Sequence, residues 1–356
     1  MRFKSSKTLV FSQSDGEVVA YNFLAKSVFQ CSQDLLLLLG KLQGWKDIEE
    51  ISALVPELEK SELKDALANL LRISALIQEG STSAAMEADF ERSWSWGLPA
   101  ALLHYSVQDN EYVSLEQAES IQKKKVEADG KIDLFLRNDH LQEVVPLPSA
   151  VDSNPLIMLM AKRRTIRKAK SQSVSLRQLS DCLYAGLGIT GEIENCVGKL
   201  PLSMTPSGGA RNPYEAYVFA KNIKGLAPGI YHYAAIEHSL GRMGNTNDLS
   251  LSSLIGGQEW GDEMTCMIML CAHLDRTMWK YEDANAYRVV LIEAGHIGQN
   301  IMLAATDHGL SACPTAAISH SRVKSQLGLS SLMQAPIYAL TLSVPDRVAS
   351  HSPYLN

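Results

Sequence analysis

Apolar positions change rhythm along the chain, and the changes divide it. Alternation around Thr8–Phe11 and Val18–Phe23 predicts two strands. Three helical patterns follow. One is a leucine run from Cys31 that includes Leu35–Leu39. The second opens with Asp47 and has Glu50 three residues on, a capping-box spacing; the third starts at Ser61 and sets Leu63, Leu67, Leu70 and Leu71 on one face. A membrane span needs roughly twenty apolar residues, so the leucine run reads as a buried helix. A short apolar strand, Ala75–Gln78, ends at Gly80. Strand, three helices and strand predict a small winged-helix-like module over residues 1–80.

Between 81 and 154 the composition turns polar, with Trp94 and Trp96 before an apolar segment, Leu98–Tyr105. This stretch reads as a connector with partial structure, and Lys123–Lys125 as a solvated helix face. From Pro155 onward the patterns sharpen. Helices are predicted over Pro155–Lys162, Leu176–Tyr184 and Ala286–Gly309, the last with Val290, Ala294, Ile297, Ile301 and Ala305 on one stripe. Strands are predicted over Tyr214–Ala220, Gly229–Tyr233, Met264–Cys271 and Ile337–Val344. Uneven alternation of strands and helices predicts an α+β domain over 155–356.

Composition narrows the function classes. At 46% hydrophobic and 20% charged residues the 356-residue chain can bury ordinary cores, so two domains are expected. A net charge of −6 and the absence of a basic stripe argue against a nucleic-acid surface. No secretory signal is visible at the N-terminus. The six cysteines include no C-x-x-C pair and the nine histidines no metal-ligand spacing, so the expectation is a cytoplasmic protein with reduced thiols and no metal.

Four stretches carry candidate chemistry. Gly186-Leu-Gly-Ile-Thr-Gly191 fits the dinucleotide pattern, but that pattern needs a strand before it, and a helical segment stands there; it reads as a helix-ending turn. Lys162-Arg-Arg-Thr-Ile-Arg167 gathers four cations and a hydroxyl, a donor set for a phosphate monoester or an ordinary charged helix end. Thr205-Pro-Ser-Gly-Gly-Ala-Arg-Asn-Pro213 precedes a strand, and its paired glycines would let backbone approach a flat ring. Gly295 and Gly298 interrupt the long helix in Glu293-Ala-Gly-His-Ile-Gly-Gln-Asn300. Each costs about 1 kcal/mol relative to alanine, which a tight crossing or a ligand must offset.

Arg163-Arg164-Thr165-x-Arg167, Pro206-Ser-Gly-Gly-Ala-Arg211, Pro228-Gly-Ile-Tyr-His-Tyr233 and Tyr287-Arg288…Glu293–Asn300…Gly309-Leu310 occur in the order seen in nitroreductase-like flavoenzymes. Over about residues 155–346 the chain most resembles the SagB-type azoline dehydrogenases of thiazole/oxazole-peptide and cyanobactin pathways. The resemblance implies a nitroreductase-like FMN-binding fold, a mixed sheet flanked by helices, working as a homodimer. It implies that Arg163, Arg164, Thr165 and Arg167 hold the FMN phosphate, with a further contact at Arg347. Pro206, Ser207, Gly208 and Gly209 would lie against the isoalloxazine, and Gln299 would belong to the cofactor-binding set. Pro314, Thr315, Ala316 and Ala317 would offer a backbone amide to flavin N5.

Lys280 and Tyr281 match a Lys-Tyr pair used in catalysis in these dehydrogenases. Aromatising an azoline removes an acidic Cα proton and sends a hydride to N5. A lysine whose pKa is lowered by burial can take the proton, and a tyrosine can orient it. Thr165 stands where serine is usual, Asn212 where an aromatic is common, and Thr315-Ala316-Ala317 where glycines often sit; hydroxyl and amide donors survive these changes.

Three functions follow from this reading. The leading one oxidises azolines in a ribosomally made peptide, with oxygen reoxidising the flavin, residues 1–80 gripping a leader peptide as an added strand, and biosynthetic partner enzymes at hand. The others are an NAD(P)H-dependent nitro or quinone reductase, and a peptide-binding scaffold without flavin.

Overall fold

The computed structural model describes residues 1–131, 134–135, 142–148, 154–245 and 250–346. They fall into two compact units, one formed by Met1–Gln108, Leu274–Val289 and Ser330–Gln334, the other by Asp109–His273, Val290–Leu329 and the C-terminal stretch from Ala335.

In the first unit, strands β1 (Arg2–Ser5), β2 (Leu9–Ser14), β3 (Glu17–Asn22) and β4 (Ser27–Gln30) precede α1 (Gln33–Lys41), β5 (Lys46–Asp47), α2 (Ile48–Ser52), α3 (Lys60–Arg72) and β6 (Leu76–Gln78). The strands make two three-stranded sheets, β5-β1-β6 and β2-β3-β4. Alternation signals β2 and β3; β1 and β4, four residues each, are too short to show a period. Asp47 and Glu50 make the reciprocal capping bonds that start α2. Phe3, Leu39, Leu42, Ile51, Leu63, Leu67 and Leu76 form the core of this unit.

The leucine run is not buried as a block. Leu39 is buried while Leu36 and Leu37 are exposed. Consecutive residues turn by about 100° around a helix, so five leucines in a row cannot share one face. Beyond residue 80 the unit continues through α4 (Thr82–Ser93) and α5 (Gly97–Ser106). The buried carboxylate of Glu87 on α4 accepts from Ser6 Oγ at 2.7 Å and lies 3.2 Å from Lys4 Nζ. Ser6, Thr8 and Asn22 complete a buried polar network that ties α4 to β1 and β3.

In the second unit, α6 (Leu115–Asp129) and α7 (Pro155–Lys162) lead to β7 (Val174–Ser175), α8 (Leu176–Leu187) and the hairpin β8 (Ile189–Asn195) and β9 (Gly198–Ser203). The glycine pattern at 186–191 thus closes α8 and enters a hairpin that polar residues did not announce. Cys196 is exposed at the hairpin tip, whereas the other five cysteines are buried.

Next come β10 (Tyr214–Ala220), β11 (Ile223–Lys224), β12 (Gly229–Ala234), β13 (Ser239–Gly244) and β14 (Cys266–His273). After α9 (Leu274–Met278), part of the first unit, the chain enters α10 (Asn285–Asp307), β15 (Ser311–Thr315), α11 (His320–Leu327) and β16 (Gln334–Ser343). Six strands form the central sheet in the order β13-β12-β10-β14-β16-β15. β10 runs antiparallel to both neighbours, with Val218 opposite Tyr231 and Ile268. Central β14 reads Cys-Met-Ile-Met-Leu-Cys-Ala and is buried on both faces, which explains its unbroken apolar run.

α10 buries the predicted stripe of Val290, Ala294, Ile297, Ile301 and Ala305. It stops where Gly309 takes φ 71° and the Leu310 amide returns to the Ala305 carbonyl. By length and composition it is also the one helix among the described residues apolar enough to cross a membrane. A Cβ on Gly298 would stand 2.4 Å from Tyr338 of β16, and one on Gly186 would stand 2.7 Å from Ile301. Close helix–sheet and helix–helix contacts therefore account for these two glycines; the Gly295 position opens onto free space.

Candidate active site

The cation segment begins where α7 ends. Arg163 leaves helical geometry at φ −62°, ψ 124°, and the next residues run extended beside β15. Their anchor is Ile166, whose N–H donates to Ser311 Oγ at 3.0 Å while that hydroxyl donates to the Ile166 carbonyl at 3.0 Å. The Cys313 thiol donates to the same carbonyl at 3.2 Å, and burial pushes its pKa up, so it stays protonated. Ser311 and Cys313 alternate along β15 and face one way, so a single strand clamps the segment that carries Thr165 and Arg167.

Arg164 donates to the carbonyls of Ala161 and Arg163, and the Arg167 guanidinium stands 5.6 Å from the centre of the Trp260 ring. Neither these two arginines nor Arg163 is paired with a carboxylate among the described residues. The chain returns beside this segment when the Asp346 amide donates to the Lys168 carbonyl. Arg347, the next residue, lies outside the described residues.

Pro314 and Thr315 finish β15, the edge strand, where proline removes no ladder bond the sheet needs. Thr315 Oγ1 accepts from Gln258 Nε2 at 2.8 Å and from the Ala317 amide at 3.1 Å. Ala316 between them is exposed, and its amide bonds no backbone carbonyl among the described residues.

A second group forms around the turn at 205–212. Buried Thr205 donates to the Gly186 carbonyl at 2.6 Å and accepts from Asn300 of α10 at 3.2 Å. Gly209, Ala210 and Asn212 take φ of 63°, 54° and 44°. This left-handed region suits glycine and, among other residues, asparagine best. Asn212 is held there by its own amide, which donates to Ser207 Oγ at 2.8 Å, and by a bond from Ser203 Oγ at 3.0 Å. The asparagine in place of an aromatic thus has a local cause.

Beneath the turn, buried Glu293 of α10 accepts the Gly208 amide at 3.3 Å and bonds the Ser207 side chain. Desolvation pushes its carboxyl above the usual range against the pull of those two donors. Gln299 is half-buried on the same helix, Pro206 is exposed, and Ser207, Gly208 and Gly209 are half-buried.

Lys280 and Tyr281 belong to the first unit, on the turn after α9, where both amides donate to the Thr277 carbonyl. Lys280 Nζ stands 5.3 Å from the Tyr281 ring centre, and Trp96 Nε1 donates to the Tyr281 carbonyl at 2.7 Å. Within its own unit Lys280 is exposed, so the burial expected of it from the sequence is not supplied there.

Sequence reasoning gave no role to Glu293, Ser311 or Trp96. Glu293 carried a usable signal: it falls within the buried stripe between Val290 and Ala294, where a carboxylate is rare unless partnered. Ser311 and Trp96 carried none, because their partners lie 145 and 185 positions away.

Residues 160–343, just over half of the chain, match the nitroreductase family. A Methanocaldococcus jannaschii protein described as a nitroreductase is 30% identical over 169 residues, which cover 47% of this chain and 80% of that protein. The chain therefore belongs to the nitroreductase family, and residues 160–343 have the nitroreductase-like fold. The trifolitoxin-processing protein TfxB of Rhizobium leguminosarum bv. trifolii is 31% identical over 147 residues, covering 38% of each chain. The microcin B17-processing protein McbC of Escherichia coli is 30% identical over 138 residues, 37% of this chain and 50% of that protein. The solved E. coli microcin synthetase McbBCD complex, with truncated pro-MccB17 bound, shares 22% identity at a TM-score of 0.45, over 73% of this chain and 91% of the matched chain. The chain spans half or less of the length of TfxB and McbC.

Proposed function

We propose that the chain is a cytoplasmic FMN-dependent dehydrogenase that oxidises thiazoline or oxazoline rings in a ribosomally made peptide to the aromatic azoles. The observation that carries the reading is the Lys280–Tyr281 pair on a tethered turn, in a chain similar to two proteins named for peptide processing.

The donor set fits FMN. Arg163, Arg164 and Arg167 are paired with no carboxylate among the described residues, and Thr165 adds a hydroxyl, a combination suited to a phosphate monoester. The turn at Ser207–Gly209 offers backbone rather than side chain to a flat ring, and the Ala316 amide is the candidate donor toward its reactive edge. Bound FMN would supply the hydride acceptor at N5.

The chain's own residues supply the rest. Lys280 takes the Cα proton of the azoline, and Tyr281 orients that lysine or the ring. Residues 1–80 are assigned the peptide: the sheet β2-β3-β4 leaves β2 and β4 as edges to which an extended segment can add. Residues 155–356 are assigned the flavin. A homodimer is included because no residue of α7 is fully buried and its apolar Leu156, Ile157, Met158 and Met160 are between 41% and 53% exposed.

The M. jannaschii relative favours a second reading, reduction of a nitro compound or quinone with NAD(P)H. One experiment separates the two. Purified protein should show the absorption bands of oxidised flavin and should bleach anaerobically with an azoline peptide but not with NADH or NADPH. Lys280→Ala should keep the bands and lose the bleaching. Bleaching by nicotinamide alone selects the reductase, and colourless protein that rejects added FMN selects a peptide-binding scaffold.

A further inference from the structure

The turn bearing Lys280 and Tyr281 is mostly exposed: Trp279, Lys280, Glu282 and Asp283 all face solvent. Two buried contacts, one inside the turn and one at the start of α10, hold it. At Tyr281 the main-chain carbonyl accepts the Trp96 indole N–H at 2.7 Å, and Trp96 is only 2% exposed. Six residues on, the Tyr287 ring meets the Trp96 ring edge-on at 5.8 Å, and its hydroxyl pairs with His104 Nδ1 at 3.0 Å. Buried His104 is fixed in turn by Gln108 at 2.9 Å from Nε2.

From these contacts we infer that Trp96 is a positioning residue for the Lys280–Tyr281 pair, and that Tyr287, His104 and Gln108 serve as its support. The inference rests on the catalytic reading of that pair given above. The exposed six-residue turn between α9 and α10 bonds α9 through the amides of Trp279, Lys280 and Tyr281, and the Trp96 indole N–H on the Tyr281 carbonyl ties it to a buried side chain from another part of the unit; a proton-abstracting amine must be held close to one geometry to act. Trp96 fixes the backbone in the middle of the turn, at the reacting position, and through Tyr287 contacts the first turn of α10, so one indole links the two. Trp94 provides the internal contrast. It packs in the same aromatic cluster, 6.0 Å from Trp96, but donates locally to the Gly97 carbonyl.

The test compares Trp96→Phe with Trp94→Phe in the full chain. Phenylalanine keeps a ring in each place and removes one indole donor. Hydrogen exchange of the 279–283 amides, read by mass spectrometry, should speed up about tenfold or more in Trp96→Phe and stay as in the parent in Trp94→Phe. With an azoline peptide, kcat should fall about tenfold in Trp96→Phe at unchanged KM and flavin content, and stay within about twofold in Trp94→Phe. Exchange and kcat alike in the two variants overturn the inference and leave Trp96 as core packing.

If Trp96→Phe does not fold, Tyr287→Phe reads the second anchor. It keeps the ring contact, removes the bond to His104, and should speed exchange over 283–287 by about threefold or more; unchanged exchange is again contrary. Lys280→Ala separates the two layers. Full turnover in that variant sinks the catalytic reading of the pair, while hydrogen exchange still decides whether Trp96 holds the turn.

Discussion

Glu293 and Gly208 stand 85 positions apart, and the Glu293 carboxylate accepts the Gly208 amide at 3.3 Å. A buried acid on the long helix thus holds up a turn in which three of four consecutive backbone positions, 209, 210 and 212, are left-handed. Such a turn persists only when its surroundings over-determine it.

Replacing Glu293 should expose that dependence. Glu293→Ala leaves the Gly208 amide and the Ser207 hydroxyl without their acceptor and should cost about 1–3 kcal/mol in urea denaturation. Glu293→Gln keeps an acceptor oxygen and should cost less. The pH dependence has a definite sign. Burial raises the carboxyl above its ordinary 4.5, so its contribution to stability is complete below that value and is lost as pH rises through the higher folded value. Glu293→Gln cannot titrate, so its Tm relative to the parent should climb from pH 4.5 upward; a constant difference would contradict the assignment.

Ser311 gives the second prediction. Its hydroxyl both accepts from and donates to Ile166, in the middle of the cation segment. Ser311→Ala should cost about 1–3 kcal/mol of stability and weaken FMN binding several-fold by releasing Thr165 and Arg167 from β15. Flavin fluorescence titration measures the second effect, and undiminished affinity would separate the clamp from the phosphate contacts.

Arg163→Ala should weaken FMN binding by about 1.5–3 kcal/mol, roughly ten- to a hundredfold, without unfolding the chain. Gel filtration should then give colourless protein with an unchanged melting curve for the apo-form. Retained flavin would place the phosphate elsewhere.

The two glycines of α10 should respond oppositely. A Cβ at Gly298 meets Tyr338 at 2.4 Å and Leu340 at 3.5 Å, so Gly298→Ala should destabilise by about 1–3 kcal/mol. At Gly295 nothing lies within 4 Å, and Gly295→Ala should gain up to about 1 kcal/mol of helix propensity. Equal responses in chemical denaturation would mean that the contact with β16 is not the constraint.

These cases show what the sequence exposes and what it hides. Periodicity located β10 to the residue and α10 with its buried stripe, because both bury long continuous patterns. It missed β1, β4, β13 and β15, which are short or on sheet edges, and the hairpin β8–β9, most of whose residues are exposed, Ile193 and Leu202 among them, so neither strand has a buried face to show a period. The candidate donors near 165 and 208 were legible as composition. Their supports were not, since Ser311, Glu293 and Trp96 act across folded distance, and no local spacing encodes a partner more than eighty positions away.

One thiol of the six, Cys196 at the tip of the β8–β9 hairpin, lies open to a water-soluble maleimide. The unaltered chain therefore carries a single addressable point for a fluorescent dye, on an arm outside the central sheet. A label there would report what that arm encounters without a cysteine having to be added or removed.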